Sequence, residues 1–158
     1  MPRMSNLGRL AYVGLAICLV AVACSSAPTL SEDAAAVRRV DALIASLGDA
    51  YRGRAVDRLM AGFAPSFSGS EQLRQAAEEV FVRFDRIELT IVVDRMHLEG
   101  KTATVFLHWD GRWRSDDKDP LLRQGTARFV VMTGGPAVIT EVTGGNPFGV
   151  VPDASAHS

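Results

Sequence analysis

Residues 102–114 read TATVFLHWDGRWR. Apolar and polar side chains alternate there almost without a break. Ala103, Val105, Leu107, Trp109 and Trp113 share one parity; Thr104, Phe106, His108, Asp110, Arg112 and Arg114 share the other. Successive side chains of a strand point to opposite faces, so a period of two marks a strand with one buried side. Upstream, Glu99-Gly100-Lys101 predicts a hairpin turn, and RIELTIVVD (86–94) alternates Ile87, Leu89 and Ile91 with Glu88 and Thr90. The phase slips near Val92-Val93, after which Met96 and Leu98 are the apolar positions. One extra residue in a long strand predicts a bulge and a bend. Downstream, the acidic loop SDDKDP (115–120) leads into GTARFVVM (125–132), and Gly134-Gly135-Pro136 turns into AVITEV (137–142). Four long antiparallel strands result.

Before residue 86 the period is that of helices. Ser31 is a good N-cap, with Glu32 and Asp33 in a first turn whose dipole favours acids. Val37, Val40, Ile44, Leu47 and Tyr51 then recur at spacings of three or four, one apolar stripe that Gly53 ends. A short second helix carries Val56, Leu59, Met60 and Phe63, and Ala64-Pro65 stops it. A third follows Ser68-Gly69-Ser70, with Leu73, Ala76, Ala77, Val80 and Phe84 on one face. Three helices followed by four strands predict an α+β domain over 32–150, its helices packed on one face of a strongly curved, cone-like antiparallel sheet.

The N-terminus gives an address. Arg3 and Arg9 precede the 13-residue apolar run AYVGLAICLVAVA (11–23). That run suits a signal peptide and falls short of the roughly 20 residues a membrane-spanning helix needs. Small residues, ending at Ala23, precede Cys24, the arrangement signal peptidases cut. Cysteine at the new terminus resembles the lipobox of bacterial lipoproteins, although Ala21 stands where leucine is commonest. The alternative is an ordinary secretory signal, cut after Ala23, with a cysteine there by chance. The only other cysteine, Cys18, lies in the leader, so the mature chain forms no internal disulfide and acylation of Cys24 removes a lone thiol from an oxidising compartment. Ser25 is compatible with sorting to a Gram-negative outer membrane, facing the periplasm. Residues 1–23 thus read as leader, 24–31 as lipidated cysteine and tether, and 151–158 (VPDASAHS) as a loose tail. Removing Arg3 and Arg9 from the 17 basic residues leaves 15 against 18 acids, net −3. Weak acidity without a basic cluster argues against nucleic acid as a partner and against electrostatic membrane docking, which is left to the lipid.

The order of elements resembles the nuclear transport factor 2-like superfamily, also called SnoaL-like or cystatin-like. The resemblance runs over roughly residues 35–146. It rests on the helix pair AYRGRAVDRLMAGFAPSF (50–67), with Asp57 and Phe63, then a third helix and long strands ending in VITEVTGG (138–145). It implies a sheet wrapped into a cone around an apolar cavity, and members that include isomerases, dehydratases, cyclases and binding or assembly domains. Ala137 occupies a position, ahead of Ile139, where tryptophan is usual. Isomerase chemistry needs a carboxylate base and an enolate-stabilising donor inside the cavity. Leu47 stands where the isomerase tyrosine would, and APSFSGS (64–70) holds no acid in place of the base.

Other candidates come from strand parity. Ala137, Ile139 and Glu141 share a face that the resemblance turns toward the cavity, where an acid would have a raised pKa and serve as base. The plainer reading puts Glu141 at the cone's rim, paired with an arginine such as Arg112. Tyr51, Trp109, Trp113 and Phe129 are the expected cavity wall, for a small apolar ligand. His108 and Asp110 share a face, but no nucleophile matches them. His97 and Glu99 read as a surface pair. Scattered histidines give no metal spacing, and Asp116, Asp117 and Asp119 lack a calcium loop's glycine and distal glutamate. No catalytic residue and no cofactor is assigned. The sequence therefore predicts a lipid-anchored envelope domain that binds a small apolar ligand or another envelope protein. The alternatives are an acid–base enzyme using Glu141 with Tyr51 as donor, and a module that homodimerises or assembles through its outer sheet face.

Overall fold

The computed structural model describes residues 31–149 apart from Asp117. The leader, Cys24 and the tail expected over 151–158 lie outside the described residues. Three helices, α1 (Glu32–Arg52), α2 (Val56–Met60) and α3 (Ser70–Arg83), precede strands β1 (Arg86–Glu99), β2 (Thr102–Arg114), β3 (Leu121–Met132) and β4 (Val138–Gly144). The strands form one antiparallel sheet in the order β1-β2-β3-β4. Three helices packed on the inner face of a curled sheet make the α+β architecture read from the sequence.

Local chemistry places the ends of α1. The Ser31 hydroxyl accepts from the Ala34 amide at 3.2 Å, with Glu32 and Asp33 in the first turn. At the other end Gly53 caps in an ordinary right-handed conformation, and it is Arg54 that adopts the left-handed one, φ 55°. Val40, Ile44, Leu47 and Tyr51 are buried along one stripe, with Leu73, Ala77 and Val80 of α3 in the same core. On β2 the alternation is carried through: Ala103, Val105, Leu107, Trp109 and Trp113 are buried. Gly111 interrupts that apolar parity for a steric reason, since a Cβ there would lie 2.1 Å from the Trp113 ring.

Two register shifts set which side chains face inward. The slip expected near Val92-Val93 appears as a bulge between Val93 and Arg95, leaving Asp94 unpaired. A second lies between β3 and β4, where Val131 pairs with Ile139 but Val130 pairs with Glu141. Thr140 is the inserted residue. A one-residue insertion reverses the faces of everything beyond it.

Candidate functional site

The inner face of the cone is lined by aromatic side chains. Tyr51 comes from the last turn of α1, Trp109 and Trp113 from β2, and Phe129 from β3, and all four are buried in one cluster. A fifth ring completes it. Phe148, from the turn after β4, is fully buried, with ring centroids 5.5 Å from Tyr51, 6.3 Å from Phe63 and 6.4 Å from Phe129. Nothing in the strand periodicity announces Phe148, because it lies in a turn; the signal was an aromatic flanked by Asn146, Pro147 and Gly149.

The terminal turn is held in place by backbone chemistry. The Trp109 indole N–H donates to the Gly145 carbonyl at 2.6 Å, and the Gly145 amide to Thr126 at 2.8 Å. Gly144 has φ +86°, and a Cβ there would come within 2.8 Å of the Thr126 carbonyl oxygen. Only glycine fits such a position without strain.

Two polar atoms stay unpaired inside this aromatic lining. Both the Tyr51 hydroxyl and the Trp113 indole N–H are buried without a hydrogen bond among the described residues. Burial pushes the Tyr51 phenol up to about 12; the neighbouring Trp113 N–H opposes that shift, although no hydrogen bond of good geometry joins the two. Tyr51 is therefore a neutral donor over the whole physiological range.

Glu141 lies elsewhere. The expectation that parity groups it with Ile139 inside the cone does not hold, because the Thr140 insertion turns Glu141 outward. Its carboxylate is exposed and accepts from the Arg128 guanidinium at 2.6 Å, not from Arg112. Arg112 instead faces Glu88 at 4.0 Å. Tyr51 and Glu141 thus sit on opposite faces of the sheet and cannot act on one ligand. The sequence pairing of His108 with Asp110 is likewise replaced: His108 Nδ1 meets Asp94 Oδ1 at 2.7 Å. His97, Glu99, Asp116 and Asp119 are exposed, and Asp117 lies outside the described residues. Among the described residues no three metal-ligating side chains converge, and no helix is long and apolar enough to cross a membrane.

Clefts occur on the outer face. One of them, about 620 Å³, is lined by Phe106 together with Asp94, Arg95, Thr126, Arg128 and Thr143. Phe106 stands directly between Arg95 of β1 and Arg128 of β3 in the strand register. The Arg95 guanidinium stacks on its ring, 4.5 Å from the centroid. Arg128 is held from the other side by Thr143 Oγ1 at 3.1 Å and by Glu141. Phe106, the apolar exception on the polar face of β2, is thus framed by cations.

No protein-family model and no curated protein matches the chain in sequence. Solved structures do match in shape. A protein of unknown function from Mycobacterium tuberculosis superposes with a TM-score of 0.61 at 16% identity, over 73% of each chain. A candidate scytalone dehydratase from Novosphingobium aromaticivorans gives 0.65 at 11% identity, over 73% of this chain and 87% of that one. A candidate dehydratase of the nuclear transport factor 2-like family from Streptomyces avermitilis gives 0.59 at 11% identity, over 71% and 95%. At such identities the likeness speaks for the fold alone. By its helix order, its curled sheet and these matches, the chain has the nuclear transport factor 2-like fold.

Proposed function

We propose that this protein is a lipid-anchored envelope domain that works by docking another protein on the outer face of its sheet, at Phe106. The observation that carries the reading is Phe148. With its ring seated against Tyr51, Phe63 and Phe129, the cone is packed with the chain's own side chains. The carboxylate that would have served acid–base chemistry there is outside, paired with Arg128. What remains presented is a half-buried aromatic between two arginines, beside the His108–Asp94 pair. Aromatic and arginine side chains are the types that anchor protein interfaces. The address comes from the leader and Cys24, and a tether of about six residues, reaching about 20 Å, keeps the domain close to its membrane.

A photo-crosslinking side chain placed at Phe106, and separately at the exposed Val82 of α3, tests this in cells. Crosslinks to one envelope protein from position 106 and none from 82 are expected. A small molecule retained at one per chain in native mass spectra of the purified protein would overturn it.

One observation favours a second reading, that the cone takes a small polar ligand when the terminal turn moves away. The buried Tyr51 hydroxyl and Trp113 N–H lack partners, and a ligand oxygen between them would satisfy both. Such a ligand should shift the Trp113 fluorescence and be lost in Tyr51→Phe.

A further inference from the structure

Asp94 and Arg95 are consecutive in β1, and in a regular strand their side chains would point to opposite faces. The bulge between Val93 and Arg95 puts both on the outer face: Asp94 meets His108 there, and Arg95 stands opposite Phe106 in the register. Bulges re-aim side chains in this way, often beside functional sites. Here the side chain re-aimed is a guanidinium.

The two arginines beside Phe106 are not equivalent. Arg128 is satisfied: its Nε donates to Thr143 Oγ1 at 3.1 Å and its Nη2 to Glu141 Oε1 at 2.6 Å. Arg95 has a ring against its plane, 4.5 Å from the Phe106 centroid, and no hydrogen bond or ion pair at its edge among the described residues. The acid next to it in sequence is engaged elsewhere, with Asp94 Oδ1 lying 2.7 Å from His108 Nδ1. A guanidinium stacked on an aromatic face keeps its fork of N–H groups open in the plane, the geometry that receives a carboxylate through two parallel bonds. One side of Phe106 thus has its carboxylate within the chain. The other side lacks one.

We infer that the partner docked at Phe106 supplies that group: an aspartate or glutamate side chain on the Arg95 fork, with an apolar side chain next to the acid lying against the Phe106 ring. The assignment rests on docking at Phe106 and adds the partner's chemistry. The cleft, about 620 Å³, is within the range of about 300–1,000 Å³ that holds small ligands and side chains.

The charges around the cleft limit the anion to one carboxylate. Arg95 and Arg128 are balanced in number by Asp94 and Glu141, with His108 alongside Asp94. No surplus field draws in a polyanion, and further negative charge would be set against Asp94. A single carboxylate at contact distance from Arg95 gains the short-range pairing without that repulsion. A chain end is a poorer match. Terminal carboxylates are captured by nests of backbone N–H groups, whereas β2, which carries Phe106, is paired with a neighbouring strand on both sides. The donors offered are side chains, Arg95 and the exposed Thr126 hydroxyl.

Two measurements separate this seat from docking as such. In the first, the blocked dipeptides acetyl-Leu-Glu-amide and acetyl-Leu-Gln-amide are titrated into the nitrogen-labelled full chain in mild detergent, read at the Arg95 Nε–Hε and Thr126 amide NMR signals. The glutamate peptide should bind saturably and at least about fivefold more tightly than the glutamine peptide. In Arg95→Gln, read at Thr126, that difference should vanish. Equal binding of the two peptides, or no saturable shift with either, would overturn the inference. Inorganic phosphate matching the glutamate peptide would overturn the choice of a single carboxylate. In the second, crosslinking from position 106 in cells is repeated with Arg95→Glu and Arg95→Lys. The yield should fall at least about tenfold with Arg95→Glu and less with Arg95→Lys, which keeps the charge and loses the fork. Crosslinks indifferent to both changes would overturn the inference and leave docking at Phe106 standing. Selective binding of the glutamate peptide with no crosslink from position 106 would overturn the docking and keep the carboxylate seat.

Discussion

Phe148 meets Tyr51 edge to face, the ring centroids 5.5 Å apart and the planes at 64°. Through that contact the last described turn of the chain packs onto the last turn of α1, and the open side of the cone is closed from within. Edge-to-face aromatic pairs add about 0.5–1.5 kcal/mol beyond the area they bury.

Phe148→Ala should therefore destabilise the fold by about 3–5 kcal/mol, as for other buried phenylalanines. Urea unfolding followed by Trp fluorescence measures it. The same variant should gain affinity for a small apolar dye, because the vacated volume is lined by Tyr51, Phe63 and Phe129. A loss below about 1 kcal/mol would mean that Phe148 does not fill the cone.

Tyr51 gives a pH signature. Its phenol ionises at about 12 in the folded chain and at about 10 when unfolded. Above pH 10 the unfolded state binds fewer protons than the folded one, so stability is flat below about 10. It then falls, by up to about 1.4 kcal/mol per pH unit, until the folded phenol titrates near 12. Alkaline difference absorption should show one late tyrosine. The other tyrosine, Tyr12, lies outside the described residues. Tyr51→Phe removes both the late step and an unpaired buried hydroxyl, and should cost no more than about 1 kcal/mol.

Trp109→Phe removes the indole donor held by Gly145. The stranded carbonyl and the lost ring volume predict a destabilisation of about 2 kcal/mol. Amide exchange should rise first in residues 144–149, which that bond ties to β2. Uniform exchange along the whole sheet would contradict this tie.

Glu141→Gln should leave stability within about 1 kcal/mol of wild type, because the pair with Arg128 is half exposed. If a catalysed reaction is found, it should survive this change. Loss of turnover would return Glu141 to the site.

Cys24→Ser should abolish any acyl mass on the N-terminal peptide and detach the domain from the membrane fraction. Mass spectrometry of wild type showing an unmodified Cys24 would end the lipid-anchor proposal.

The sequence alone was enough for the elements and their order. Helical spacing from Val37 to Tyr51 and alternation from Ala103 to Trp113 are local consequences of having one face against a core. Each shows in a single segment without knowledge of its neighbours. Even the bulge at Asp94 was legible, because a phase slip in β1 leaves polar residues where apolar ones were due. The facing of Glu141 was not. The extra residue at Thr140 exists only relative to β3, where Val130 and Val131 choose partners two positions apart on β4. The filling of the cone was hidden for the same reason: Phe148 follows no period, and only the folded chain brings it to Tyr51. Periodicity records which side of a segment is buried; the partner across it is decided in three dimensions.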